Sequence, residues 1–368
     1  MSRDLVIVGG GPAGLALALA ARQRGLTVTV VDKRRPPLDK PCGEGIMPAG
    51  VTMLAQLGVS FRSGEARAFR GIRYLDGDVV AEGDFPPGRH GLGVRRPTLH
   101  AVLVAAAERA GAELCWGVEA TGLLPGGGVQ TVAGPLAARV VAGADGLRSR
   151  VRAWTGLAGP EARRRRFGVR RHYRLHPWID RVEVHWGEGC EAYVTPVSDE
   201  EVGVALLADG GGRFDELLSR VPALARRLAG APSSSRDLGA GPFEQSVKGV
   251  VAGRVALVGD ASGYLDALTG EGLSLAFGQA IDLAAAVAED DLERYARAHR
   301  RRGLQPLAVT RLALLAEAHP GLRRRVVRAL AADPELFSRL LAVLDGAAPP
   351  SSLGPLRALR FLGHLVHA

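Results

Sequence analysis

The run Leu5-Val6-Ile7-Val8-Gly9-Gly10-Gly11-Pro12-Ala13-Gly14, with Asp32 beyond it, governs how the remaining residues are read. Four apolar residues in a row suit a buried parallel strand. Gly9, Gly11 and Gly14 follow in G-x-G-x-x-G spacing. Leu15 to Arg24 is then predicted to be a helix that Gly25 stops. A second apolar strand, Thr27 to Val31, delivers Asp32 roughly 20 residues after the glycines, where a carboxylate can hold a ribose hydroxyl. The glycines supply a tight turn, room for a pyrophosphate, and close helix-to-strand packing. Free N–H groups and the dipole at the helix start favour that anion. Strand, helix, strand and acid together predict a dinucleotide site.

The chain has 368 residues, 47% of them hydrophobic, enough for two or three domains. Its net charge of +9 is carried almost wholly by arginine, the only lysines being Lys33, Lys40 and Lys248. The arginine runs Arg163–Arg166, Arg300–Arg302 and Arg323–Arg325 are scattered and not interleaved with aromatics, which suits a solvated face and speaks against nucleic acid. Three cysteines, Cys42, Cys115 and Cys190, form no disulfide framework, so a reducing cytoplasm is expected. Glycines interrupt the apolar stretch Leu5–Ala21, and no apolar run reaches the length of a membrane span. Scattered histidines without His-Glu-x-x-His or Cys-x-x-Cys predict no metal site, and no Gly-x-Ser-x-Gly elbow is present.

Past Asp32, the loop Lys40-Pro41-Cys42-Gly43-Glu44-Gly45 places an acid between glycines, where backbone approaches something closely. Short strands from Arg67 to Phe85, a helix opening at Arg95-Arg96-Pro97, and strands at Glu113–Trp116 and Arg139–Ala142 follow. The last leads into Asp145-Gly146. Val182–Trp186, Ala192–Pro196 and Val202–Leu207 have the spacing of an antiparallel meander. Arg254–Val258 repeats the buried-strand texture and ends in Gly259-Asp260; Gly270-Glu271-Gly272 then opens the helix Leu273 to Glu289. Leu292 to Leu344 is helical and basic. The apolar-basic tail Leu356–Ala368 is expected to pack on the domain in preference to lying on a membrane. Parallel-sheet pieces separated by two β-rich inserts imply an α/β protein. A discontinuous Rossmann-like domain (1–66, 95–160 and 245–290) is threaded by a mostly antiparallel substrate domain (67–94 and 161–244), with a helical C-terminal region (291–368).

Gly9–Gly14 with Asp32, Asp145-Gly146 after a strand, and Gly259-Asp260 after another resemble the three fingerprints of FAD-dependent oxidoreductases of the aromatic-hydroxylase type, the group A flavin monooxygenase superfamily. The loops at Cys42 and at Gly270-Glu271-Gly272 look like the geranylgeranyl-reductase and flavin-halogenase branches. The resemblance implies FAD and assigns its contacts. Gly9, Gly11, Pro12, Ala13, Gly14, Asp32 and Lys33 would hold the ADP half. Arg96 would reach the phosphates or ribityl, Ala120 the adenine, and Asp145 FAD or NAD(P)H. Gly259 and Asp260 would meet the ribityl, and Gly270, Glu271 and Gly272 the flavin pyrimidine. Two departures stand out. Ala267 replaces the proline usual three residues before the Gly-Glu-Gly element, and the Trp-x-Trp-x-Ile-Pro signature of flavin halogenases is absent.

Only one complete G-x-G-x-x-G is present, so electrons would come from transiently bound NAD(P)H or from a flavin- or ferredoxin-type reductase partner. Cys42 is the candidate for gating or proton transfer, and Tyr193 the candidate catalytic residue of the meander. The reading favours monooxygenation of a hydrophobic or aromatic small molecule. Its rivals are carbon–carbon double-bond reduction and an FAD-bound electron-transfer or regulatory protein.

Overall fold

Leu5 to Val8 alternates between two cores. Leu5 and Ile7 face one hydrophobic cluster, Val6 and Val8 another, and all four are buried. That is how a central parallel strand buries both of its faces. In the computed structural model, which describes residues 3–162 and 164–354, Arg3–Val8 lies between Gly134–Gly143 and Val28–Asp32, parallel to both. Val255–Leu257 and Glu113–Trp116 extend the parallel sheet outward, and Val251–Ala252 closes one edge. Helices Pro12–Arg22, Arg96–Arg109 and Gly272–Ala288 share the core with Leu5 and Ile7. The hairpin formed by Ala120–Leu123 and Gly128–Thr131 packs on the other face.

The first helix begins at Pro12, three residues before the predicted Leu15, because Gly11 takes the cap position and proline suits the first turn. It ends at Arg22, and Gly25 makes the left-handed turn at φ +76°.

The meander is present and larger than predicted. Leu238–Ala240, Arg166–Arg174, Glu201–Asp209, Cys190–Pro196, Val182–Gly187, Gly71–Asp76 and Val79–Asp84 form one seven-stranded sheet. Every pairing in it is antiparallel except Val182–Gly187 with Gly71–Asp76. The stretch 67–94 divides: 71–84 joins this sheet, whereas Gly91–Gly93 pairs with Arg67–Phe69 on one side and Gly45–Ile46 on the other in a separate small sheet beside the Cys42 loop.

The basic C-terminal region resolves into three helices, Leu292–Ala318, Pro320–Ala332 and Pro334–Leu344. The last two each begin at a proline. They cover the apolar half of the large sheet through Val327, Leu330, Phe337 and Leu341. No described helix is long and apolar enough to cross a membrane. The tail Leu356–Ala368, and Arg163 of the arginine run, lie outside the described residues.

Candidate functional site

The three glycines of the opening motif sit in three different surroundings. A Cβ on Gly14 would stand 2.0 Å from the Gly9 carbonyl oxygen, and one on Gly9, at φ +113°, would strike the Ala144 carbonyl at 2.4 Å. A Cβ on Gly11 would meet nothing within 4 Å. Two glycines therefore serve close packing, and the third leaves an open cradle at a helix start that no side chain caps. Asp32 is buried and accepts from the Gly10 N–H at 2.9 Å, which fixes its carboxylate beside that cradle. Ala120, Lys33, Glu119, Asp145 and Trp154 line the adjoining crevice. The Asp145 carboxylate is turned to its own chain, accepting from Ser149 at 2.5 Å and from the Arg150 N–H at 2.7 Å, at the start of the helix Arg150–Trp154 that Ser149 caps.

The third fingerprint meets the first. A Cβ on Gly259, at φ +65°, would lie 2.7 Å from the Ala13 methyl, so the Gly259-Asp260 turn nests on the opening helix. Lys40 lies across the same groove. Burial, and then the charges of Arg96 and Arg34, push its ammonium down, while Asp260 and Asp32 oppose them. Asp260 is pushed up by burial against the pull of Lys40, Arg96 and Arg152. An open cradle of uncapped amides, crowded cations along the groove and an aspartate at each end match the donors and acceptors of FAD. A pyrophosphate would relieve the repulsion around Lys40, and ribose or ribityl hydroxyls would give Asp32 and Asp260 donors.

Beyond Asp260, the loop Asp266–Gly270 is held from three sides although Ala267 replaces the usual proline. Tyr193 donates to the Leu268 carbonyl at 2.9 Å, the Leu268 N–H donates to Asp266 at 3.1 Å, and the Thr269 and Thr310 hydroxyls meet at 3.3 Å. Side-chain bonds thus supply the restraint that a fixed φ would have given. Gly270 turns at φ +69°, and the helix Gly272–Ala288 starts with Glu271 at its cap and no side chain bonded there. Burial, and then the charge of Asp345, push the Glu271 carboxyl up to about 8.

Glu44, His172 and His100 hold the Cys42 loop and the glycine turn. Glu44 adopts a left-handed backbone at φ +59°, rare for a non-glycine residue, and its side chain is buried. Its carboxylate accepts from the Arg96 N–H at 2.8 Å and from His172 Nε2. Arg170 Nη1, always a donor, lies 2.9 Å from His172 Nδ1, so the histidine proton sits on Nε2 and points at Glu44. His100 Nδ1 accepts from the Leu38 N–H at 3.3 Å, and its Nε2 donates to the Gly10 carbonyl at 2.8 Å, bracing the turn. His100 follows Arg96 by four residues on one helix face, a spacing readable in the sequence; Glu44 and His172 lie 128 residues apart, and no local pattern connects them.

Cys42 Sγ receives two donors, the Glu44 N–H at 3.3 Å and Arg96 Nη1 at 3.8 Å. Above this loop, alternation on Cys190–Pro196 turns Glu191, Tyr193 and Thr195 to one face. Thr195 donates to the Gly43 carbonyl at 2.7 Å and Tyr193 to Leu268, so one strand ties together the Cys42 and Gly270 loops. Tyr193 is therefore a brace, its hydroxyl engaged with backbone. Glu191 is wholly buried, 2.9 Å from Arg166, which also contacts Asp266 at 2.9 Å and Glu317 at 3.3 Å. Burial dominates and pushes the Glu191 carboxyl up to about 8, Glu317 and Asp266 adding to it and Arg166 opposing.

Residues 2–170 match the family described as the FAD binding domain. The match covers the N-terminal part of the chain and supports FAD as its cofactor. This flavoprotein is 28% identical over 298 residues to the menaquinone reductase of Mycobacterium tuberculosis, covering 74% of this chain and 73% of that protein. It is also 28% identical to the digeranylgeranylglycerophospholipid reductase of Methanothrix thermoacetophila, covering 74% of each. A 6-methylpretetramide 4-monooxygenase of Streptomyces rimosus is 35% identical over 176 residues, covering 42% of this chain and 41% of that one. Among solved structures, a flavoprotein/dehydrogenase from Cytophaga hutchinsonii shares the fold at TM-score 0.81 and 18% identity, covering 97% of this chain and 96% of that chain.

Proposed function

We propose that this flavoprotein reduces carbon–carbon double bonds in the polyprenyl chain of a lipid. The observation that carries the reading is the pair of donors on Cys42 Sγ. Saturating a double bond takes a hydride on one carbon and a proton on the other. Bound reduced FAD supplies the hydride. The Cys42 thiol supplies the proton, and the thiolate left behind is stabilised by the Glu44 N–H and the Arg96 guanidinium. Glu44, clamped between His172 and the start of the Arg96 helix, keeps the thiol in place. Gly11, Asp32, Lys40, Arg96, Asp260 and the Gly270–Gly272 helix start are the residues that would hold FAD. Electrons arrive from transient NAD(P)H or from a reductase partner.

The named reductases support this reading over nearly three quarters of the chain, the monooxygenase over two fifths of it. Hydroxylation is the second reading, favoured by the higher identity within that shorter stretch. The test is turnover of a geranylgeranyl lipid and of menaquinone, run anaerobically and again under labelled dioxygen. Reduction predicts products that gain only hydrogen, with one atom from solvent, and a Cys42→Ala variant slowed about 100-fold while keeping its FAD. Heavy oxygen in the product, or a Cys42→Ala variant at full speed, would overturn it.

A further inference from the structure

Helix Leu292–Ala318 has two unlike sides. Its inner side works at the site: Thr310 meets Thr269 at 3.3 Å, and Glu317 reaches Arg166 and Arg164. Its outer side carries Leu304, Leu307, Leu312 and Leu315, which are 62%, 38%, 65% and 49% exposed, and Leu322 at 36% continues the ridge onto the next helix. At about 100° per residue the first four lie within roughly 140° of one another and run for about 16 Å. Leucines this exposed and this contiguous mark an interaction surface.

The charge around the ridge selects its occupant. From Arg294 to Ala332 there are ten arginines and one acid, Glu317, which is turned inward. Arg300, Arg301, Arg311 and Arg325 are exposed beside the leucines and make no ion pair among the described residues. A second copy docked here would set these arginines against themselves. The chain's own tail Leu356–Ala368 brings Arg357 and Arg360 and no acid. We infer that this ridge seats the flavoprotein on an anionic lipid bilayer, its leucines among the acyl chains and its arginines on the headgroup phosphates. The same helix contacts the Gly270 loop from the other side, so a lipid substrate passes from bilayer to site around one element. That delivery role rests on the reductase reading; the docking itself does not.

The test is sedimentation of the full-length holoprotein with phosphatidylcholine vesicles and with vesicles containing phosphatidylglycerol. Expected is binding to the anionic vesicles about tenfold or more tighter than to neutral ones, weakened by salt. The triple variants L304E/L312E/L315E and L304S/L312S/L315S should lose about tenfold or more of that binding while keeping FAD and thermal midpoint. Deleting 355–368 should leave binding intact. Absence of anionic-vesicle binding, or unchanged binding by both triple variants, overturns the inference. So does loss of binding on tail deletion, or a dimer in light scattering that both triple variants dissociate. None of these readouts depends on turnover, so the docking and the reductase chemistry can fail separately.

Discussion

Glu44 spends its carboxylate on two buried donors while its backbone sits in the left-handed region. A glutamine there offers one carbonyl acceptor where the carboxylate offered two oxygens, so either the Arg96 N–H or His172 Nε2 goes unpaired. Glu44→Gln is expected to cost about 2 kcal/mol in denaturant unfolding and to slow turnover, because Cys42 and Arg96 shift with the loop. Tyr193→Phe is milder: about 1 kcal/mol for the lost bond to Leu268, with KM rising more than kcat falls. Glu191 responds to pH. Its ordinary value of 4.5 rises to about 8 in the fold, so the folded state keeps a proton that the unfolded state releases. This contribution is complete below 4.5 and is lost as pH climbs through about 8. The thermal midpoint should therefore fall across that window, and Glu191→Gln should flatten the fall.

Among the elements, the glycines separate binding from packing. Gly11→Ala places a methyl in open space at an ordinary φ of −77°, so the fold should tolerate it, while FAD affinity drops about tenfold or more. Gly14→Ala drives a methyl onto the Gly9 carbonyl and should unfold more easily by about 2 kcal/mol or more, measured without FAD. The opening strand, helix, strand and acid were legible because each signal is local: an apolar run, glycine spacing, one carboxylate. The meander was legible by period two. The Glu44–His172 clamp and the Arg166 cluster were not, since their members come from strands and loops far apart in the chain, and only strand register brings Thr195 and Tyr193 over two separate loops. The C-terminal breaks at Pro320 and Pro334 were in plain view as prolines at helix starts, yet the uniform basic composition concealed them.

Across the whole molecule, a parallel sheet with its helix starts supplies anion-binding amides, and the seven-stranded sheet covers the place they face. Strand Cys190–Pro196 joins the two through Tyr193 and Thr195. The C-terminal helices close the apolar half of that cover and turn a leucine ridge outward. We propose that this arrangement serves a single FAD, which would be held from the Asp32 crevice to the Gly270 helix start. The decisive measurement is a titration of the FAD-free protein with FAD, followed by the flavin absorbance. Saturation at one FAD per chain, competition by ADP, and weakening in Gly11→Ala without loss of fold are expected. A protein that stays colourless at saturating FAD, or a Gly11→Ala variant that binds as tightly as the parent, would refute a flavin held in this groove.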